Sequence, residues 1–102
     1  MTDPLQTILL TGASSGVGLA LSRLLVPLQR YCPILTARAT SIPRFAEAGI
    51  HETDRIRLRP LDVTDDDQRV AVVDEALRDW DGVDTLVNNA GIAYRAVVEH
   101  VT

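Results

Sequence analysis

The first chemical signal in this chain is three glycines at close spacing. They fall in Thr11-Gly12-Ala13-Ser14-Ser15-Gly16-Val17-Gly18, behind the apolar run Ile8-Leu9-Leu10 and ahead of Leu19, Leu21, Leu24, Leu25 and Leu28. A dense apolar run reads as a strand buried on both faces, and the leucine spacing reads as one face of a helix. The glycines therefore sit where a buried strand turns into a helix. Gly12 can adopt backbone angles closed to other residues, while Gly16 and Gly18 present no Cβ at the helix start. First-turn amides have no partner inside the helix and lie at the positive end of its dipole, so they suit a phosphate or pyrophosphate. The plainer alternative, glycines serving only the packing of a strand-helix turn, is disfavoured by their number and placement.

The rest of the chain has to position this turn. The first strand is expected over residues 7–11 and the first helix over 16–29, with Pro27 ending or kinking it because it has no N–H to donate. Tyr31-Cys32-Pro33 reads as a turn and residues 34–37 as a second strand. Ser41-Ile42-Pro43 reads as the start of a short helix, serine capping it and Gly49 ending it. In a third strand over 55–61, Arg55, Arg57 and Arg59 alternate with Ile56 and Leu58, a charge pattern that suits a sheet edge. A helix over 66–80 places Val70, Val73, Ala76, Leu77 and Trp80 on one face. Asp65, Asp66 and Asp67 at its start fit the helix dipole and not the spacing of a calcium loop. After the turn Asp81-Gly82, a fourth strand over 83–88 leads into Asn89-Ala90-Gly91. This alternation predicts an α/β fold, an open parallel sheet with helices on both faces and strand order 3-2-1-4. A ligand then belongs outside the carboxyl ends of strands one and four, where both glycine segments fall.

Composition sets the frame. At 102 residues and 46% hydrophobic content the chain is one globular domain with a modest core. A formal net charge of −4 disfavours nucleic acid or an anionic membrane as partner. One cysteine, Cys32, precludes an internal disulfide and fits a reducing, cytoplasmic setting. No signal-peptide pattern or stretch of membrane-spanning length is present. His51, His100 and Cys32 lack metal-ligand spacing and read as surface or packing residues. All ten basic residues are arginine, so chemistry that needs a lysine has no source here.

The octad from Thr11 to Gly18 resembles the T-G-x-x-x-G-x-G turn of the short-chain dehydrogenases/reductases, and Asn88-Asn89-Ala90-Gly91 resembles their N-N-A-G segment. The spacing differs from G-x-G-x-x-G, and the absence of lysine excludes the phosphate loop of nucleoside triphosphatases. The resemblance implies a Rossmann-like NAD(P)-binding fold, present here over residues 1–102 as a single partial domain cut off after strand four. It implies that the amides around Ser15, Gly16, Val17 and Gly18 face the cofactor pyrophosphate. Gly12 and Ser14 would lie beside the adenosine ribose, and Asn89, Ala90 and Gly91 along the cofactor. Asp62 and Val63, ending strand three, look like the family's adenine contact, with a turn cap as the simpler role for Asp62. At the end of strand two, a carboxylate would bind the ribose 2′-hydroxyl of NAD, whereas an arginine accommodates the 2′-phosphate of NADP. Thr36-Ala37-Arg38-Ala39 has no carboxylate, so Arg38 points to NADP over NAD, the alternative being a solvated surface arginine.

In that family a tyrosine with a lysine four residues later does the proton transfer, helped by a serine. Neither Tyr31 nor Tyr94 has such a lysine, so no catalytic residue is assigned, and the segment alone is expected to be inactive. A carbonyl or alcohol substrate would belong to a longer parent. Thr102 has the character of a helix cap where a next helix would begin. The apolar run over residues 83–87 would then be an exposed edge, inviting self-association. Two other readings stay open: a stand-alone dinucleotide-binding regulatory or sensor module, and an interaction fragment that no longer binds nucleotide.

Overall fold

The computed structural model of the protein describes residues 5–89. In chain order its elements are β1 (Gln6–Leu10), α1 (Gly16–Leu25), β2 (Tyr31–Ala37), a 3-10 turn (Ala39–Ser41), α2 (Pro43–Glu47), β3 (Arg57–Pro60), α3 (Asp66–Trp80) and β4 (Thr85–Val87). The strands form one parallel sheet in the order β3-β2-β1-β4, as the alternation implied. Successive strand residues point to opposite faces. Leu10 and Leu35 accordingly pack with Phe45, Ile50 and Ile56 beneath α1 and α2, while Leu9 and Ile34 pack with Val72, Ala76 and Trp80 of α3. Helices therefore cover both faces. Each fully buried side chain of this size contributes about 1.5–3 kcal/mol, several times a surface ion pair, so these two clusters hold the fold. Among the described residues, no helix is long and apolar enough to cross a membrane.

Helix α1 stops at Leu25, two residues before Pro27, so the proline ends the helix. The carbonyls that follow it are gathered by one side chain: the Arg55 guanidinium donates to those of Val26 at 2.7 Å, Leu28 at 3.1 Å and Tyr31. Arg55 thus lies outside β3 and anchors the α1–β2 connection. Helix α3 begins as the aspartates implied, the Asp65 carboxylate accepting from the amide of Gln68 at 3.1 Å.

Several local expectations are corrected. Tyr31-Cys32-Pro33 is strand, not turn, and buries Cys32. Pro33 is tolerated because pairing with β3 begins only at Ile34, so its missing N–H falls where β2 has a neighbour on one side. Ser41 does not cap α2; Ile42 occupies the cap position with no side-chain bond. The buried side of α3 is Val72 and Ala76, with Trp80 beyond, whereas Val70, Val73 and Leu77 are exposed. In α1 the buried residues are Gly18 and Ser22, and Leu24 and Leu28 face outward. Leu19 and Leu21 of the α1 stripe do pack on the core, and Gly18 lets the start of that helix approach the turn closely.

On the α3 side of the edge strand β3, Arg57 donates to Glu75 and Asp79, both at 2.8 Å, and lies 4.2 Å over the Trp80 ring. Arg59 holds Glu75 through Nε at 2.8 Å and also pairs with Glu52. Hydrogen bonding from Arg59, then the charges of Arg59 and Arg57, lowers the Glu75 pKa against the opposing effect of burial. Arg57 lowers that of Asp79 in the same way. A carboxylate with a depressed folded pKa stabilises the fold fully above its unfolded value and loses that contribution as pH falls through the folded one. The urea midpoint should therefore drop as pH falls below the ordinary glutamate value of 4.5. Glu75→Gln should flatten that acid limb; an acid limb identical in the variant and the parent would show that the cluster does not set it.

Candidate functional site

The turn after β1 is pinned from three directions. From β2, the Thr36 carbonyl accepts the Ala13 amide at 2.8 Å, and the Thr36 hydroxyl donates to the Leu10 carbonyl at 2.9 Å. From α1, the buried Ser22 hydroxyl donates to the carbonyls of Ala13 at 3.2 Å and Gly18 at 2.9 Å. From the end of β4, Asn88 accepts from the Thr11 hydroxyl at 3.1 Å, and the Asn89 amide donates to that same hydroxyl at 2.9 Å. The Asn89 side chain then donates to the Gly12 carbonyl at 3.1 Å. The paired asparagines tie β4 to the glycine turn. Asn88 also lines the cleft, while Asn89 supports the turn from behind.

Each glycine has its own reason. Gly12 and Gly16 stand at φ +60° and +56°, in the left-handed region that other residues enter only with strain. Gly18 is required for space: a Cβ there would lie 1.9 Å from the Gly12 carbonyl oxygen and 2.7 Å from Asn89 Nδ2. The start of α1 thus lies directly on the turn. Its cap residue, Ser15, makes no side-chain cap bond, and no acidic residue stands in its first turn. Helix α3, by contrast, has its aspartate cap and acidic first turn. The amino end of α1 is left with donors and positive potential for a ligand to complete.

A cleft of about 680 Å³ opens here, at the carboxyl ends of the strands. Of the residues expected from sequence, Gly12, Ser14, Ser15, Arg38 and Val63 line it. Val17 is exposed at the helix start, while Gly18 and Asn89 support the turn from behind. Asp62 is not among the lining residues; its Oδ1 accepts from the Thr64 amide at 2.9 Å and hydroxyl at 2.6 Å, forming a local turn. Those bonds, with a smaller effect from the Arg38 charge, lower its pKa. Ala90 and Gly91 lie outside the described residues, as do Tyr94, His100 and Thr102. Sequence reasoning missed Ser41, Arg44 and Arg69, which also line the cleft. The turn after β2 was the available signal, and it was read as a helix cap.

Residues 6–102 match the short chain dehydrogenase family. The chain belongs to that family. A relative within it is DltE, an oxidoreductase of Bacillus subtilis, 38% identical over 87 residues that span 85% of this chain and 33% of that protein. Another is carbonyl reductase (NADPH) 1 of Homo sapiens, 34% identical over 99 residues, 93% of this chain and 35% of that protein. Among solved structures, menthone neomenthol reductase of Mentha piperita superposes with a TM-score of 0.69 at 28% identity, covering 85% of this chain and 32% of that one. L-sorbose reductase of Gluconobacter frateurii, complexed with NADPH and L-sorbose, gives 0.64 at 28% identity, covering 86% and 34%. The chain spans about a third of the length of the relatives it matches.

The geometry separates two kinds of glycine dependence. Gly18→Ala must displace backbone and should cost about 1–3 kcal/mol or more in urea denaturation. Gly16→Ala, strained but in open space, should cost about 1–2 kcal/mol. A Gly16 variant less stable than the Gly18 variant would contradict the packing role given to Gly18.

Proposed function

We propose that this chain is the cofactor-holding part of a carbonyl or alcohol oxidoreductase that prefers NADP(H) to NAD(H). The observation that carries the reading is the uncapped amino end of α1 opening onto a cleft that Arg38 also lines. The α1 end would hold the pyrophosphate. Arg38, the residue directly after β2, would take the 2′-phosphate, in a place where no carboxylate stands to bind a 2′-hydroxyl. Two relatives whose names or structures carry NADPH support the preference. When bound, the cofactor supplies or accepts the hydride; residues 1–102 supply its seat and, lacking lysine, no proton-transfer pair of the family's kind. The single, buried cysteine supports residence in the cytoplasm.

Calorimetric titration of the 102-residue chain with NADP⁺ and NAD⁺ tests this. NADP⁺ should bind about ten-fold tighter or more, a charge-assisted contact being worth about 1.5–3 kcal/mol, and Arg38→Ala should abolish the difference. Equal affinities would overturn the preference, and no binding of either would overturn the cofactor-holding role.

We also propose that two copies associate through β4. Among the described residues this strand pairs with β1 alone, and Leu86, Val73 and Leu77 beside it are 53%, 39% and 55% exposed. Sedimentation velocity should show concentration-dependent dimerisation that Leu86→Lys suppresses. A parent chain that stays monomeric across the range would exclude this surface.

A further inference from the structure

Two successive peptides of the turn after β1 are held differently. In a trans peptide the carbonyl and the amide that follows it point in opposite directions. The peptide joining Gly12 to Ala13 is gripped at both ends. Its carbonyl accepts from the Asn89 side chain at 3.1 Å, on the β4 side, and its amide donates to the Thr36 carbonyl at 2.8 Å, on the β2 side. The next peptide, joining Ala13 to Ser14, is gripped at its carbonyl alone, by the Ser22 hydroxyl at 3.2 Å. Its amide, that of Ser14, has no acceptor among the described residues, and Ser14 lines the cleft.

Ser22 is fully buried in the second turn of α1 and does not line the cleft. A serine inside a helix can satisfy its hydroxyl on the carbonyl four residues back, and the 2.9 Å contact with the Gly18 carbonyl is that bond. The contact with Ala13, nine residues back, is a second one shared by the same proton. It exists because Gly18 has no side chain to keep α1 off the turn.

We propose that Ser22 is a positioning residue for the cofactor: by holding the Ala13 carbonyl against α1, its hydroxyl turns the Ser14 amide away from the helix and into the cleft, to donate to an oxygen of the dinucleotide. This rests on the cofactor-holding reading above and adds to it a residue that never meets the ligand. Without the hydroxyl, the peptide between Ala13 and Ser14 is gripped at neither end, while its neighbour stays fixed by Asn89 and Thr36. The ligand then has to order a donor that the serine otherwise holds in place, and affinity falls.

The first measurement needs no ligand. In amide NMR of the free chain, Ser22→Ala should broaden the Ser14 signal by exchange and leave that of Ala13 sharp. Calorimetric titration with NADP⁺, at a temperature where circular dichroism shows parent and variants folded, should find Ser22→Ala about three- to ten-fold weaker, the range of one neutral hydrogen bond. Ser22→Cys, with a weaker donor, should fall between. Equal affinity of parent and Ser22→Ala would overturn the positioning role and leave the cofactor-holding reading in place. So would broadening spread along α1 as a whole, the mark of a serine that serves the helix alone. A parent that binds no dinucleotide overturns the cofactor-holding reading and the positioning role together.

Discussion

The contact between the start of α1 and the Gly12 carbonyl governs this molecule. With a hydrogen in place of a side chain at Gly18, the helix rests on the turn at a separation that no Cβ allows. Everything nearby uses that proximity. Ser22 reaches the Ala13 carbonyl, Asn89 reaches the Gly12 carbonyl, and Thr11 is held between β1 and the two asparagines. The carbonyls of the turn are occupied by protein donors from behind, while the first-turn amides of α1 receive no side-chain cap.

Much of this was legible in the sequence, and the reasons for the rest are specific. The apolar run at β1, the glycine spacing and the aspartates ahead of α3 are local signals with one physical meaning each, and they led to the right alternation of strands and helices and the right sheet order. Helix phase was harder. Of the expected faces, Leu19, Leu21, Ala76 and Trp80 do pack on the core, but Leu24, Leu28, Val70 and Leu77 are exposed, and Gly18, Ser22 and Val72 are buried in their place. Close backbone approach selects small residues, and periodicity weighted by hydrophobicity passes over them. Pro33 was read as a breaker because a strand's tolerance of proline depends on where its neighbour begins, which is a tertiary fact. Arg44 was invisible for a related reason: its relation to Arg38 arises from the 3-10 turn at Ala39–Ser41.

Charge is sorted as firmly as hydrophobicity. The carboxylates of α3 are matched against Arg57 and Arg59 on the β3 edge, and Arg55 is spent on the carbonyls after α1. Arg38 and Arg44, which line the cleft, stand outside these pairings, although the chain as a whole is acidic.

The two edges of the sheet are unlike. At β3 the Leu58 amide, which an incoming strand would need, is already held by the Glu52 carboxylate at 2.9 Å, and two arginines flank it. At β4 the described chain provides no such cover. A strand arriving at β3 would have to displace the Glu52 carboxylate before it could pair, so this end of the sheet is stoppered against lengthening by a side chain rather than by another element.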